Sequence, residues 1–161
     1  MAILLENMSL EKEIIKEVLT HLPYRKPFLF VEDITSISEE GVTGYYTLKK
    51  DEYFYEGHFP DAPITPGVIL TEIAGQIGVV CLGLFLEIKK SFPHFNRKLL
   101  SNYTASKMDF FKPVFPKEKV KVVSKKIYFR FNKLKCEVFL YDSKGELACK
   151  GTLEGFIRED K

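Results

Sequence analysis

Apolar positions recur along the chain with two different periods, and the switches between them mark its elements. Leu10, Ile14, Ile15, Val18, Leu19 and Leu22 repeat at helical spacing. With Ser9 ahead of them as an N-cap and Pro23 behind them as a stop, they predict a short amphipathic helix. Phe28 to Ile37 reads as a strand, Glu39-Glu40-Gly41 as a turn and Val42 to Leu48 as a second strand, which together predict a hairpin. From Pro66, a good first residue for a helix, to about Lys90 the chain is apolar on nearly every side. Such a helix must be wrapped by other structure. Beyond Phe92-Pro93 the pattern predicts strands over Leu99 to Met108, Lys119 to Phe131, Lys135 to Tyr141 and Leu147 to Ile157, with Asp142-Ser143-Lys144-Gly145 as a hairpin turn.

This order predicts an α+β fold with helices packed on an antiparallel sheet. A single sheet covers the central helix on one side only, so the other side is left for a second chain, and dimerisation is expected. The 161 residues, 45% hydrophobic and 14% aromatic, supply one substantial core and exclude a disordered chain. No repeat, low-complexity tract or Gly/Ser-rich linker divides them, so residues 1–161 are expected to form one domain.

A formal net charge of +2 is too mild for a nucleic-acid binder. The distribution is uneven: from Lys107 to Lys135 basic residues recur, opposed only by Asp109 and Glu118. That run is either a solubilising strand face or a surface for an anionic partner. Cys81, Cys136 and Cys149 are odd in number and lack paired metal-ligand spacing, so a reducing, cytoplasmic compartment is expected. Met1 to Ser9 carries Glu6 and no basic n-region, unlike a signal peptide. Gly67 to Leu86 has the length of a membrane span, but Glu72 and Gln76 share one face with Thr71 beside them, which fits a core helix better than one facing lipid.

Candidate chemistry gathers in the loop before that helix. Gly57, Pro60, Pro63 and Pro66 make 51–66 a stiff, irregular segment that holds His58 in a fixed position, Gly57 allowing unusual backbone angles beside it. Histidine exchanges protons near neutral pH. Glu72 follows about two turns into the apolar helix, where desolvation raises a carboxyl pKa and favours the acid form. The pair has the makings of acid-base chemistry. Gly67 lies in the first helical turn, whose free amides can polarise a thioester carbonyl; the plainer reading is that Pro66-Gly67 starts a tightly packed helix. His21 and His94 read as structural, the first closing a helix and the second in a surface loop.

Gly57-His58-Phe59-Pro60, Pro63-Ile64-Thr65-Pro66-Gly67-Val68, Glu72 and Gln76 resemble the string G-H-F-P-x-x-P-x-x-P-G-V-x-x-x-E-x-x-x-Q of the FabZ-type 3-hydroxyacyl-[acyl-carrier-protein] dehydratases. Leu22-Pro23-Tyr24-Arg25-Lys26-Pro27-Phe28-Leu29 and Phe111-Lys112-Pro113-Val114 with Pro116 are similar to two flanking motifs of that family. The resemblance implies a hotdog fold, in which a curved antiparallel sheet wraps a long central helix, assembled as dimers with shared active sites. It implies dehydration of a 3-hydroxyacyl thioester to the trans-2-enoyl thioester in fatty-acid, polyketide or polyene biosynthesis, without a metal or redox cofactor.

In that scheme His58 takes the C2 proton, Glu72 of a partner chain serves the leaving hydroxyl, and the Gly67 amide binds the enolate-like oxygen. The Ile64 carbonyl orients the histidine. Phe59, Val68, Phe110 and Phe111 become candidates for the acyl tunnel, although the pair Phe110-Phe111 reads first as core. An acidic acyl carrier protein then gives the basic run a purpose. Tyr24 in place of a histidine, Gly75 in place of an alanine and Thr65 in place of a methionine depart from the family pattern, and the chain has no tryptophan, which argues against isomerase activity. An acyl-thioester hydrolase and a noncatalytic acyl-binding subunit remain the alternatives on the same architecture.

Overall fold

The computed structural model describes residues 1–160. The chain opens with helix α1, Ala2–Thr20. Ser9 therefore lies inside this helix and does not cap it, because the Leu and Met residues before it are good helix formers and extend the helix back to Ala2. His21 closes it as expected, with Nδ1 on the Glu17 carbonyl at 2.8 Å and the ring edge-on to Phe95. Six strands follow: β1 Asp33–Ser38, β2 Gly41–Thr47, β3 Leu99–Phe110, β4 Lys119–Arg130, β5 Lys133–Tyr141 and β6 Leu147–Glu159. All pair antiparallel in one sheet of order β1-β2-β4-β5-β6-β3.

The predicted first strand begins five residues late. Phe28 to Val31 runs beside the sheet without joining it, since the Phe30 N–H is taken by the Gln76 side chain and not by a neighbouring strand. Phe30 is nonetheless fully buried. The 142–145 hairpin forms as expected, with Gly145 at φ +78° and the Asp142 N–H donating to the Glu146 carbonyl at 2.9 Å.

Between β2 and β3 lies the central helix α2, Gly67–Lys89. It is long and apolar enough to cross a membrane by composition, but 83% of its apolar window is buried inside the fold. Ile73, Ile77, Leu82, Leu84 and Ile88 share one core with the inward residues of β5, Leu134, Cys136, Val138 and Leu140. Gly78 allows the close approach, since a Cβ there would stand 2.9 Å from Val138 Cγ1. Gln76–Cys81 widens into π geometry within α2, and the Ser124 hydroxyl of β4 donates to the Gly78 carbonyl in that turn at 2.8 Å. The sheet curved around one helix is the hotdog architecture.

Cys81, Cys136 and Cys149 are all free and buried. At the other extreme β3 is exposed along most of its length, and it occupies an edge of the sheet.

Candidate active site

A short 3-10 turn, Tyr53–Glu56, leads into the histidine loop. Gly57 has φ −108°, an ordinary value, so its expected role as a conformational special case does not hold; the left-handed residue of this loop is Asp61 at φ +64°. Backbone bonds close the loop on itself. The His58 N–H donates to the Phe54 carbonyl at 3.0 Å, the Ile64 N–H to the His58 carbonyl at 3.0 Å, and the Thr65 N–H to the Val114 carbonyl at 2.9 Å. Tyr55 and Thr65 hydroxyls meet beneath it at 2.7 Å.

The half-buried imidazole is held on two sides. Phe59 stacks on it with ring centroids 4.1 Å apart, and Nδ1 lies 2.8 Å from the Ile64 carbonyl. A carbonyl only accepts, so Nδ1 carries the proton and the neutral ring presents Nε2 as a free base. Nε2 has no hydrogen-bond partner among the described residues.

Glu72 projects from the second turn of α2 and is held by Gln76, whose Nε2 donates to Glu72 Oε1 at 2.9 Å. The same Gln76 amide donates to the Phe28 carbonyl at 2.9 Å, and its Oε1 accepts from the Phe30 N–H at 2.8 Å. Burial pushes the Glu72 carboxyl above its ordinary value, against the opposing hydrogen bond from Gln76 and the influence of the nearby Tyr103 hydroxyl. Glu72 borders a cavity of about 250 Å³ shared with Tyr24, Phe28, Val79 and Tyr103. Tyr24 and Tyr103 were not expected at this site. They come from segments far apart in sequence, and no spacing rule connects them to Glu72.

Gly67 opens α2 after Pro66, and its amide and that of Val68 have no hydrogen-bond partner among the described residues. The Phe110 ring leans over Gly67, 3.2 Å from where a Cβ would stand. Val68 is 77% exposed, Phe59 and Phe110 each 50%, and Phe111 56%. Phe110 and Phe111 are thus not core residues of this chain. Within one chain no hydrogen bond or ion pair joins His58 to Glu72; each has its own partners.

Half of the ten basic residues from Lys107 to Lys135 are ion-paired, Lys119 with Glu32 among them. Lys112 pairs with Asp142 at 2.5 Å and also with Glu146, Lys133 and Lys135 pair with Glu154, and Lys126 with Glu40. Lys117 has no ion-pair partner among the described residues. With Lys50 it flanks a cavity of about 480 Å³ beside the histidine loop, bordered by Phe59, Pro60 and Pro63 and by the acidic Asp51, Glu52, Glu56 and Asp61.

Residues 22–148 match the FabA-like domain family, a span that contains the histidine loop, α2 and most of the sheet. The chain belongs to this family. Its relatives include the 3-hydroxyacyl-[acyl-carrier-protein] dehydratase FabZ of Nitratidesulfovibrio vulgaris, 32% identical over 91% of this chain and 93% of that one. The FabZ of Clostridium botulinum strain Okra is 34% identical over 67% and 71%. Among solved structures, the dehydratase heterocomplex ApeI:P from Xenorhabdus doucetiae superposes with a TM-score of 0.73 at 13% identity, covering 88% of this chain and 90% of that chain. A hypothetical thioesterase with coenzyme A from Streptococcus pneumoniae TIGR4 reaches 0.55 at 11% identity, over 93% and 98%. Both likenesses concern the hotdog fold alone.

Proposed function

We propose that this chain dehydrates a 3-hydroxyacyl thioester to the trans-2-enoyl thioester, with the substrate carried on acyl carrier protein. The observation that carries the reading is His58, whose Nδ1 is committed to the Ile64 carbonyl at 2.8 Å so that Nε2 is the free base. Membership of the FabA-like family and similarity to FabZ dehydratases support the choice of reaction.

His58 Nε2 removes a proton from C2, and the electrons pass to the thioester oxygen, which the free amide of Gly67 stabilises. The C3–O bond then breaks as Glu72, whose acid form burial favours, gives its proton to the departing hydroxyl, which leaves as water. Proton return from the imidazolium to the Glu72 carboxylate restores the starting state, so no proton is gained or lost overall.

Each His58 faces Glu72 of a second copy in this reading. Support comes from the separate partners of the two groups within one chain, from the exposed edge strand β3, and from the exposed Val68, Phe110 and Phe111 around the helix start. Exposed apolar groups clustered at a site mark a surface awaiting a partner. Residues 1–161 act as one hotdog domain, whose buried core draws on residues from Ile14 to Ile157. Three free thiols fit a cytoplasmic enzyme. Lys117, exposed beside the histidine loop and without an ion-pair partner among the described residues, is the cation this reading assigns to an acidic carrier, although Asp51, Glu52, Glu56 and Asp61 border the same cavity.

The test is incubation with a 3-hydroxyacyl thioester. Enoyl absorbance without free thiol is expected, and it should disappear in His58→Ala and in Glu72→Gln while the fold persists. Free thiol alone would identify a hydrolase, and neither product would identify a noncatalytic acyl-binding subunit.

A further inference from the structure

The Tyr103 side chain starts on the exposed edge strand β3 and drives its hydroxyl onto α2. A Cβ on Gly75 would stand 1.6 Å from Tyr103 Oη and 2.7 Å from Cζ, so the phenol occupies the notch that this glycine leaves in the helix. There the hydroxyl donates to the Thr71 carbonyl at 3.3 Å. Thr71 directly precedes Glu72, and the Glu72 carboxyl lies within the same hydroxyl's reach around the shared cavity. One rotatable O–H thus has two acceptors, a backbone carbonyl that never changes charge and a carboxyl that does.

We propose that Tyr103 is a positioning residue for Glu72, its phenol seated in the Gly75 notch and turning from the Thr71 carbonyl to the carboxylate when Glu72 has given up its proton. This rests on the dehydration reading above for its catalytic consequence, though not for the contact itself. Gln76 holds one side of the carboxyl at 2.9 Å throughout, and Tyr103 supplies a second donor at the moment charge appears. A donor prepared in advance stabilises developing charge without reorganisation. No proton leaves the phenol: burial raises the Tyr103 hydroxyl, and the Glu72 charge raises it further. The other titratable group near Glu72 is Tyr24, its phenol also raised by burial and by Glu72.

Tyr103→Phe keeps the ring and removes the hydroxyl. Glu72 is followed by carbon-13 NMR titration of its carboxyl, assigned with Glu72→Gln, and turnover is measured in parallel. The Glu72 midpoint should move to higher pH in Tyr103→Phe, since the carboxylate has lost a donor. The kcat should fall on the order of 10- to 100-fold, as for one hydrogen bond to a charged group, with KM little changed and the alkaline limb of the kcat profile moved upward. Gly75→Ala, which displaces the phenol, should move the midpoint the same way, and Tyr103→Phe carries the test where that variant does not fold. An unmoved midpoint overturns the proposal whatever turnover does, as does a moved midpoint with unchanged kcat. A moved midpoint in a protein that does not dehydrate supports the contact and sinks the proposed reaction instead.

Discussion

Gln76 tethers Glu72. Its amide donates to Glu72 Oε1 and to the Phe28 carbonyl, each at 2.9 Å, and accepts from the Phe30 N–H at 2.8 Å, so one fully buried side chain fixes both the acid and the segment that crosses α2. Gln76→Ala leaves the Phe28 carbonyl and Phe30 N–H without partners, at about 1–3 kcal/mol for each buried group. A loss of roughly 2–6 kcal/mol is expected in urea unfolding. Turnover should also fall in the folded fraction, because Glu72 is free to change rotamer. A stable variant with full kcat would show that Gln76 holds neither.

The charge state of Glu72 gives a second expectation with a definite sign. Burial raises its pKa in the folded chain, so as pH rises from the ordinary carboxyl value the unfolded chain loses its proton first. Stability therefore falls through the window between the ordinary and the raised value, and the loss is constant above it. Glu72→Gln removes that loss and keeps an oxygen for the Gln76 amide. The variant should melt higher than the parent at pH 7 to 8, and the difference should vanish near about pH 4, the usual carboxyl range. Melting curves at several pH values check this, and parallel curves would contradict it.

The strands of the second half were legible because alternation survives in them: Leu134, Cys136, Val138 and Leu140 are all fully buried on one face of β5. The helix α2 was legible from its unbroken apolar run. Phe28 to Val31 misled because its apolar character serves a different partner, a glutamine on α2 that satisfies the backbone in place of a strand. At the site, His58 was legible from its stiff loop, whereas its Ile64 carbonyl, six residues on, was legible only through the family resemblance. Tyr103 and Gly75 are 28 residues apart on different elements, and their contact depends on how β3 lies across α2. Phe110 and Phe111 read as core because a strand of aromatics usually is; here the strand is an edge, and its side chains stay exposed until something covers them.

Gly67 and Phe110 form the next testable pair. A methyl at Gly67 would come within 3.2 Å of the Phe110 ring, which is half exposed and free to give way. Stability of Gly67→Ala should change by less than about 0.5 kcal/mol. The ring displacement should nonetheless lower kcat/KM on the order of tenfold, since positioning errors at a site are felt strongly. Adding Phe110→Ala should recover part of that loss. Strictly additive losses would mean that the two residues act independently.

Lys117 and Lys112 separate carrier docking from folding. Lys112 is held by Asp142 and Glu146 at the β5–β6 turn, and Asp142 also accepts from the Lys144 and Glu146 N–H groups at 2.9 Å each. Lys112→Glu places a third carboxylate in that cluster, so it should lower the melting temperature and reduce turnover of every substrate alike. Lys117 has no such ties and flanks the cavity beside the histidine loop. Lys117→Glu should leave the melting temperature in place, raise KM for a carrier-linked substrate several-fold, and spare a small thioester analogue. The KM increase should shrink as salt is added, because screening at 0.15 M already reduces such attractions beyond about 8 Å. Equal effects of Lys117→Glu on both substrates would remove this lysine from carrier recognition.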